Sequence, residues 1–163
     1  MKKEFKFGFD HILLTLTSVG QILAAAFTYQ SPILSSLRNS GWILLWIAGI
    51  FGMLPIFTFK RLGKVQKGKS YVHTNQLVDK GIYSIVRHPQ YFAGVLIGIA
   101  LYLISPSLIN LVLGIVNIVQ YYNGTFEEEE RLIDKFGQQY IEYQKKVPRL
   151  NPIRGIIQRI IGH

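Results

Sequence analysis

Apolar and polar positions along this chain separate into long blocks and not into a fine alternation. Residues 12 to 29, ILLTLTSVGQILAAAFTY, carry no charge and approach the ~20 residues a helix needs to cross the hydrocarbon of a bilayer. Residues 41 to 59, GWILLWIAGIFGMLPIFTF, repeat the pattern, with Gly49 and Gly52 as points where another helix can approach and Pro55 as a point for a kink. Two shorter apolar runs, 90 to 104 and 107 to 122, are joined at Ser105-Pro106-Ser107, which has room only for a tight hairpin. The pattern predicts four spans, the last two tilted or incompletely inserted.

After the fourth run the period changes. Leu132, Phe136, Tyr140 and Tyr143 fall on one helical stripe, predicting a tail helix that opens at Thr125 and is ended by Pro148 and Pro152. The last residues, IRGIIQRIIGH, alternate apolar pairs with Arg154 and Arg159, as a short helix lying on a membrane surface does. At 163 residues the chain has the length of one domain. The expected fold is therefore an all-α integral membrane bundle, with four transmembrane helices and a cytoplasmic C-terminal helix in a single domain over residues 1–163.

Charge adds a direction to this picture. The chain holds 18 Lys and Arg against 9 Asp and Glu, a net charge of +9. Its basic residues sit between apolar runs and build no polar domain, which favours an anionic membrane surface over nucleic acid as partner. Of the cations, only Arg38 falls in the loop between the first two runs. The others gather in three places: Lys2, Lys3 and Lys6; the segment from Lys60 to Arg87; and the tail beyond residue 123. An even number of crossings puts all three on one side, so both termini are expected in the cytoplasm. The competing reading of the first run as a signal peptide, with Lys2, Lys3 and Lys6 before it and Ala24, Ala25 and Ala26 for cleavage, is weaker beside the other apolar runs.

The chain lacks cysteine, which removes disulfides, thiolate metal sites and a cysteine nucleophile. His11, His73, His88 and His163 show no ligand spacing, and no metal site is expected.

Candidate chemistry lies in the polar blocks. Arg87, His88 and Pro89 precede the third run; as interfacial cations before a first-turn proline they need no further role, but a helix N-terminus beside Arg and His also suits a carboxylate. Tyr83 and Tyr91 flank them with aromatic faces. Glu127 to Glu130 can be a helix start, with Thr125 as N-cap and Glu128 closing a capping box, yet a box needs only one acid. The tyrosines of the tail, Gly137, Pro148 and Arg149 read as packing. Cations on one side of a pocket and paired carboxylates on the other suit a zwitterion such as S-adenosylmethionine. Its methyl group is transferred by in-line displacement that needs mainly orientation and desolvation.

The residues LVDKGIYSIVRHPQYFAG, followed after the hairpin by EEERLIDKFGQQYIEYQKKVPRLNP, resemble the isoprenylcysteine carboxyl methyltransferase and phospholipid methyltransferase superfamily of membrane enzymes. The resemblance covers residues 75 to 152 and implies S-adenosylmethionine-dependent methyl transfer to a lipophilic, prenylated or lipid substrate at the cytoplasmic face. It places cofactor-site segments at 75–91 and 125–149. Gln76, Leu77, Val78, Gly81 and Tyr83 correspond to the family's cofactor loop, His88, Pro89, Gln90 and Tyr91 to a second binding segment, and Glu128 and Glu129 to its paired acids. Arg87, His88 and Glu128 are the candidate catalytic residues. Two positions depart from the carboxyl methyltransferases: Gly124 stands where they hold the substrate carboxylate with arginine, and Asn75 where a histidine opens the loop, unless His73 serves. The acceptor thus stays open among carboxyl, amine and hydroxyl. Membrane sterol reductases, which use a nicotinamide cofactor, share the last part of the pattern, but their 2′-phosphate is poorly received by Glu127 to Glu129. A noncatalytic membrane scaffold is the remaining alternative.

Overall fold

The computed structural model describes residues 9–29, 35–62 and 76–162. Lys2, Lys3, Lys6, Lys64, Lys67, Lys69, His73, Asn75 and His163 lie outside the described residues, and with them the two candidate loop-opening positions. Among the described residues six α-helices follow in order: α1 (Phe9–Phe27), α2 (Ser35–Leu62), α3 (Pro89–Ile104), α4 (Leu108–Phe136), α5 (Gln138–Lys146) and α6 (Pro152–Ile161), with a 3₁₀ turn at Gly81–Ser84. No strand occurs among the described residues. The residues group into two compact units, one drawn from Met1–Ile50 and Tyr91–Gly124, the other from Phe51–Gln90 and Thr125–His163.

The first unit shows why its helices read as apolar runs yet pack tightly. Their outward faces are greasy, with Leu16, Phe27, Trp46 and Leu108 all well exposed. Small residues let the backbones of α3 and α4 come close: a Cβ on Gly114 would lie 3.2 Å from the Gly98 carbonyl oxygen. Gly49 has open space beside it, so the close approach anticipated there does not occur. Inside, the unit is polar. Gln21, 1% exposed, donates from Nε2 to the carbonyls of Gly98 at 2.9 Å and Asn110 at 3.3 Å. Its Oε1 accepts from Asn117 Nδ2 at 2.9 Å, and Thr17 donates to Asn117 Oδ1 at 2.6 Å. Such groups carry a desolvation cost in an apolar surround unless they pair, and here they pair with one another.

Among the described residues two helices are long and apolar enough to cross a bilayer, Asp10–Phe27 and Ser35–Leu62, and only 17% and 11% of these windows is buried inside the protein. A soluble core helix would bury most of its length. α3 is apolar but shorter, and the first half of α4 spends positions on Asn110, Asn117 and Gln120. Pro89 opens α3 as its first residue, as expected, and α2 runs through Pro55.

The tail departs from the expected single helix in three ways. α4 does not begin at Thr125; it continues unbroken from Leu108, and Thr125 is fully buried in its interior, so no capping box exists there. At Gly137 the backbone turns to φ 57°, a left-handed value that ordinary side chains resist, and Tyr140 and Tyr143 fall on the separate helix α5. Pro152 does not end a helix but opens α6 as its first residue, behind Asn151, whose side chain caps Arg154 N–H at 2.9 Å.

Candidate active site

The second unit holds most of the predicted site residues, and a small core positions them. Tyr140, Tyr143 and Val147 are buried on α5 and just beyond it, packed by Leu77, Tyr83, Leu132, Ile133 and Phe136. Tyr143 donates its hydroxyl to the Tyr83 carbonyl at 2.6 Å, fixing the 3₁₀ turn on α5. Gly81, at φ 64°, lies against Thr58. Beyond the turn, Arg87 N–H donates to Pro148 O at 3.0 Å and His88 N–H to Arg149 O at 3.2 Å, so the stretches before α3 and α6 are bonded together.

At that junction one carboxylate gathers three basic side chains. Glu129, 4% exposed, accepts through Oε1 from Arg87 Nη2 at 2.6 Å, Arg87 Nε at 2.9 Å and His88 Nε2 at 3.1 Å. Its Oε2 accepts from Arg149 Nη2 at 2.6 Å. Arg87 turns its other nitrogen to the carbonyls of Gln144 and Val147, and the Arg149 guanidinium lies 3.8 Å over the Phe126 ring. Burial alone would push the Glu129 carboxyl up; hydrogen bonds from His88, Arg149 and Arg87, and the Arg87 charge, outweigh it and hold the group at about 2.

This geometry changes the expected layout. Sequence reasoning put Arg87 and His88 on one side of a ligand and the acids on the other; in the structure they are bonded to one of those acids, Glu129. Glu128 stands apart from this cluster. It pairs with Arg131 at 3.1 Å, and its side chain keeps 29% exposure. Burial first, and then the Glu128 charge, raise the Tyr83 phenol far above its ordinary range, so Tyr83 stays protonated with Glu128 in its neighbourhood. Val78, His88 and Pro89 are buried, Gln76, Gly81 and Gln90 exposed. Tyr91 belongs to the first unit, where it meets Tyr121 edge-on and its ring lies on Gly124 so closely that a Cβ there would stand 2.8 Å from it.

Arg149 was classed with the packing residues, although it is a direct partner of Glu129; only the fold brings them together. A cavity of about 740 Å³ also went unforeseen. Among the predicted residues only Gln76 and Leu77 line it; Asp79, Glu142, Lys146 and Arg159 supply its charges, and Gln158 Oε1 is buried without a hydrogen-bond partner.

The helices, with apolar faces outward and a charge-clasped polar site, define an all-α integral membrane protein. Residues 37–139 match the family model described as phospholipid methyltransferase, and the chain belongs to that family. Among its relatives, the protein-S-isoprenylcysteine O-methyltransferase of Xenopus laevis is 30% identical over 145 residues, covering 80% of this chain and 48% of the relative. That of Homo sapiens is 36% identical over 97 residues, covering 56% and 32%. The structure of the eukaryotic intramembrane Ras methyltransferase, an isoprenylcysteine carboxyl methyltransferase, superposes with a TM-score of 0.61 at 23% identity, over 93% of this chain and 55% of that one. The chain thus spans about half the length, or less, of the curated relatives it matches.

Proposed function

We propose that the chain is an S-adenosylmethionine-dependent methyltransferase acting on a lipophilic or lipid-linked acceptor. The observation that carries this reading is the Glu129 clasp, which joins the 76–91 segment to the acidic turn of α4 and the 147–149 stretch, leaving Glu128 beside Tyr83. The residues suit the cofactor: a partly exposed carboxylate for its ammonium or ribose hydroxyls, a protonated phenol and apolar Leu77 for its base, and exposed polar atoms on the Gln76–Gly81 loop. Gln76, Leu77, Val78, Gly81, Tyr83 and Glu128 are assigned to it. Arg87, His88, Pro89 and Glu129, buried or engaged with one another, position these groups.

Glu128, Tyr83, Leu77 and the Gln76–Gly81 loop would hold S-adenosylmethionine, which would supply an electrophilic methyl group for in-line displacement by the acceptor's lone pair, with S-adenosylhomocysteine as leaving group and any acceptor proton lost to solvent. The protein contributes orientation and a dry surround. At Gly124 the Tyr91 ring occupies the space a longer side chain would need, so no cation is offered to an acceptor carboxylate from that position. Amine and hydroxyl acceptors are favoured accordingly, and the prenylcysteine chemistry named for the relatives is the less favoured case.

Calorimetry with S-adenosylhomocysteine on the detergent-purified chain tests the proposal. Wild type binds, Glu128→Gln weakens binding at least about tenfold, as loss of a charged hydrogen bond implies, and Glu130→Gln binds as wild type. Absence of binding to wild type refutes the cofactor, binding of reduced nicotinamide instead establishes the reductase, and equal affinities in the two variants remove Glu128 from the site. We further propose four crossings with both ends cytoplasmic. A reporter fused after His163 reads cytoplasmic if so; an external signal overturns that topology.

A further inference from the structure

α6 is turned inside out for a helix packed on a protein. At about 100° per residue, Pro152 and Gly155 share the side that faces the rest of the unit, and both are buried. A Cβ on Gly155 would fall 1.8 Å from the Ile85 carbonyl oxygen, so the helix rests directly on that backbone. The outer side carries Ile153, Ile157, Ile160 and Ile161, with exposures of 71%, 49%, 77% and 69%, and Ile156, 45% exposed, stands at its margin toward Pro152. Four branched apolar side chains on one short helix face away from the protein that holds it, which is the reverse of ordinary amphipathic packing. Arg154, on a polar edge of the helix, and Lys146 close by at the end of α5 are exposed.

The backbone sets where this face lies. The bonds from Arg87 N–H to Pro148 O and His88 N–H to Arg149 O place the stretches before α3 and α6 side by side. α3 starts at the next residue, Pro89, and α6 three residues after Arg149, at Pro152. The chain thus enters α6 beside the residues at which it enters the apolar helix α3, and the start of such a helix is, in a bilayer, the interface between headgroups and acyl chains. An isoleucine face at that level, edged by cations on a chain of net charge +9, is complementary to anionic lipid.

We propose that α6 is an interfacial anchor, its isoleucine face inserted at the acyl–headgroup boundary of an anionic bilayer and Arg154 among the headgroups. This contact is independent of the cofactor site and of the acceptor. The absence of native cysteine makes the test clean. Single-cysteine variants Ile157→Cys, Ile160→Cys and Arg154→Cys of the full chain are labelled with a nitroxide and reconstituted in bilayers with and without phosphatidylserine. Power-saturation spectra then compare collisions with oxygen, which partitions into lipid, and with an aqueous nickel chelate. Labels at 157 and 160 should favour oxygen and the label at 154 nickel, the contrast increasing with phosphatidylserine. In a background of Arg154→Gln, the dependence of the Ile157 label on phosphatidylserine should weaken about fivefold. Equal nickel access at all three sites would place α6 in water. Protection of 157 and 160 from both reagents would mean that protein, a second copy included, covers the face; either result overturns the anchor.

Discussion

Replacing Glu129 by Gln should unfold the second unit far more readily than its size suggests. The amide keeps the shape but loses the charge that three basic side chains share, and the magnitude follows from two routes. The carboxyl falls from 4.5 to about 2 in the folded protein, which at 1.36 kcal/mol per pKa unit corresponds to about 3 kcal/mol. Removing one partner of a buried ion pair costs about 3–5 kcal/mol. The lower end applies here, because Arg87 keeps the Gln144 and Val147 carbonyls and Arg149 keeps some solvent and the Phe126 ring. Denaturant titration of the purified protein in mild detergent at pH 7 should therefore show Glu129→Gln weaker by about 3 kcal/mol and Glu128→Gln, a partly exposed i,i+3 pair, by less than about 1 kcal/mol. The pH dependence has a fixed sign. A carboxyl depressed on folding adds stability above its unfolded pKa, and that stability disappears as pH falls from about 4.5 toward about 2. Wild type and Glu129→Gln should thus converge at the acid end of the titration. A loss below about 1 kcal/mol at pH 7, equal losses in the two variants, or a constant gap down to pH 2 would refute the clasp as the element that joins these segments.

Gly155→Ala should detach α6, since the added carbon meets the Ile85 carbonyl at 1.8 Å and a backbone cannot yield cheaply; a cost of about 1–3 kcal/mol, with new protease cleavage between residues 147 and 152, is expected, and wild-type melting would contradict it. Gln21→Leu removes the acceptor of Asn117 Nδ2 and two donated hydrogen bonds in the first unit. It should cost about 1 kcal/mol, much of it restored when Asn117→Leu is added, because the partner is then no longer stranded; strictly additive losses would show that the network is not a unit.

What the sequence revealed depended on whether a pattern was local. The apolar runs located α1 and α3 to within three residues, whereas α2 begins six residues before its run, and Pro89 marked the start of α3, because span length and proline chemistry act on the chain where they stand. The polar ladder of Thr17, Gln21 and Asn117 was invisible, since each member looks like a lone polar residue in an apolar run until two helices are set face to face. Arg149 was missed for the same reason: its partner is 20 residues away and on another element. The Glu129 cluster was half legible. The fold brings parts of both segments together, and it pairs Arg87 and His88 with the protein's own carboxylate where the sequence suggests a ligand's.

Which of the four acids would turn inward was in fact encoded, once α4 is taken as one helix. A capping box at Thr125 would start the helix there and leave the acids of its first turn to solvent. With the helix running from Leu108, the phase is fixed by the residues that must face the core, Leu132, Ile133 and Phe136. Counting back from the centre of that stripe at about 100° per residue, Thr125 and Glu129 fall near its middle, Glu128 at its edge, and Glu127 and Glu130 outside it. Burial follows the same order: Thr125 and Glu129 buried, Glu128 half-buried, Glu127 and Glu130 exposed. The run of four carboxylates thus divides its labour by helical phase. One acid is neutralised inside by Arg87, His88 and Arg149, the next stands half-buried at the rim near Tyr83, and the outer two meet water. Deleting one residue between Glu129 and Leu132 would rotate Glu128 into the position of Glu129, so the clasp would close on the wrong acid or remain open. That register dependence separates a phased site from a merely acidic patch, whose properties would survive the deletion.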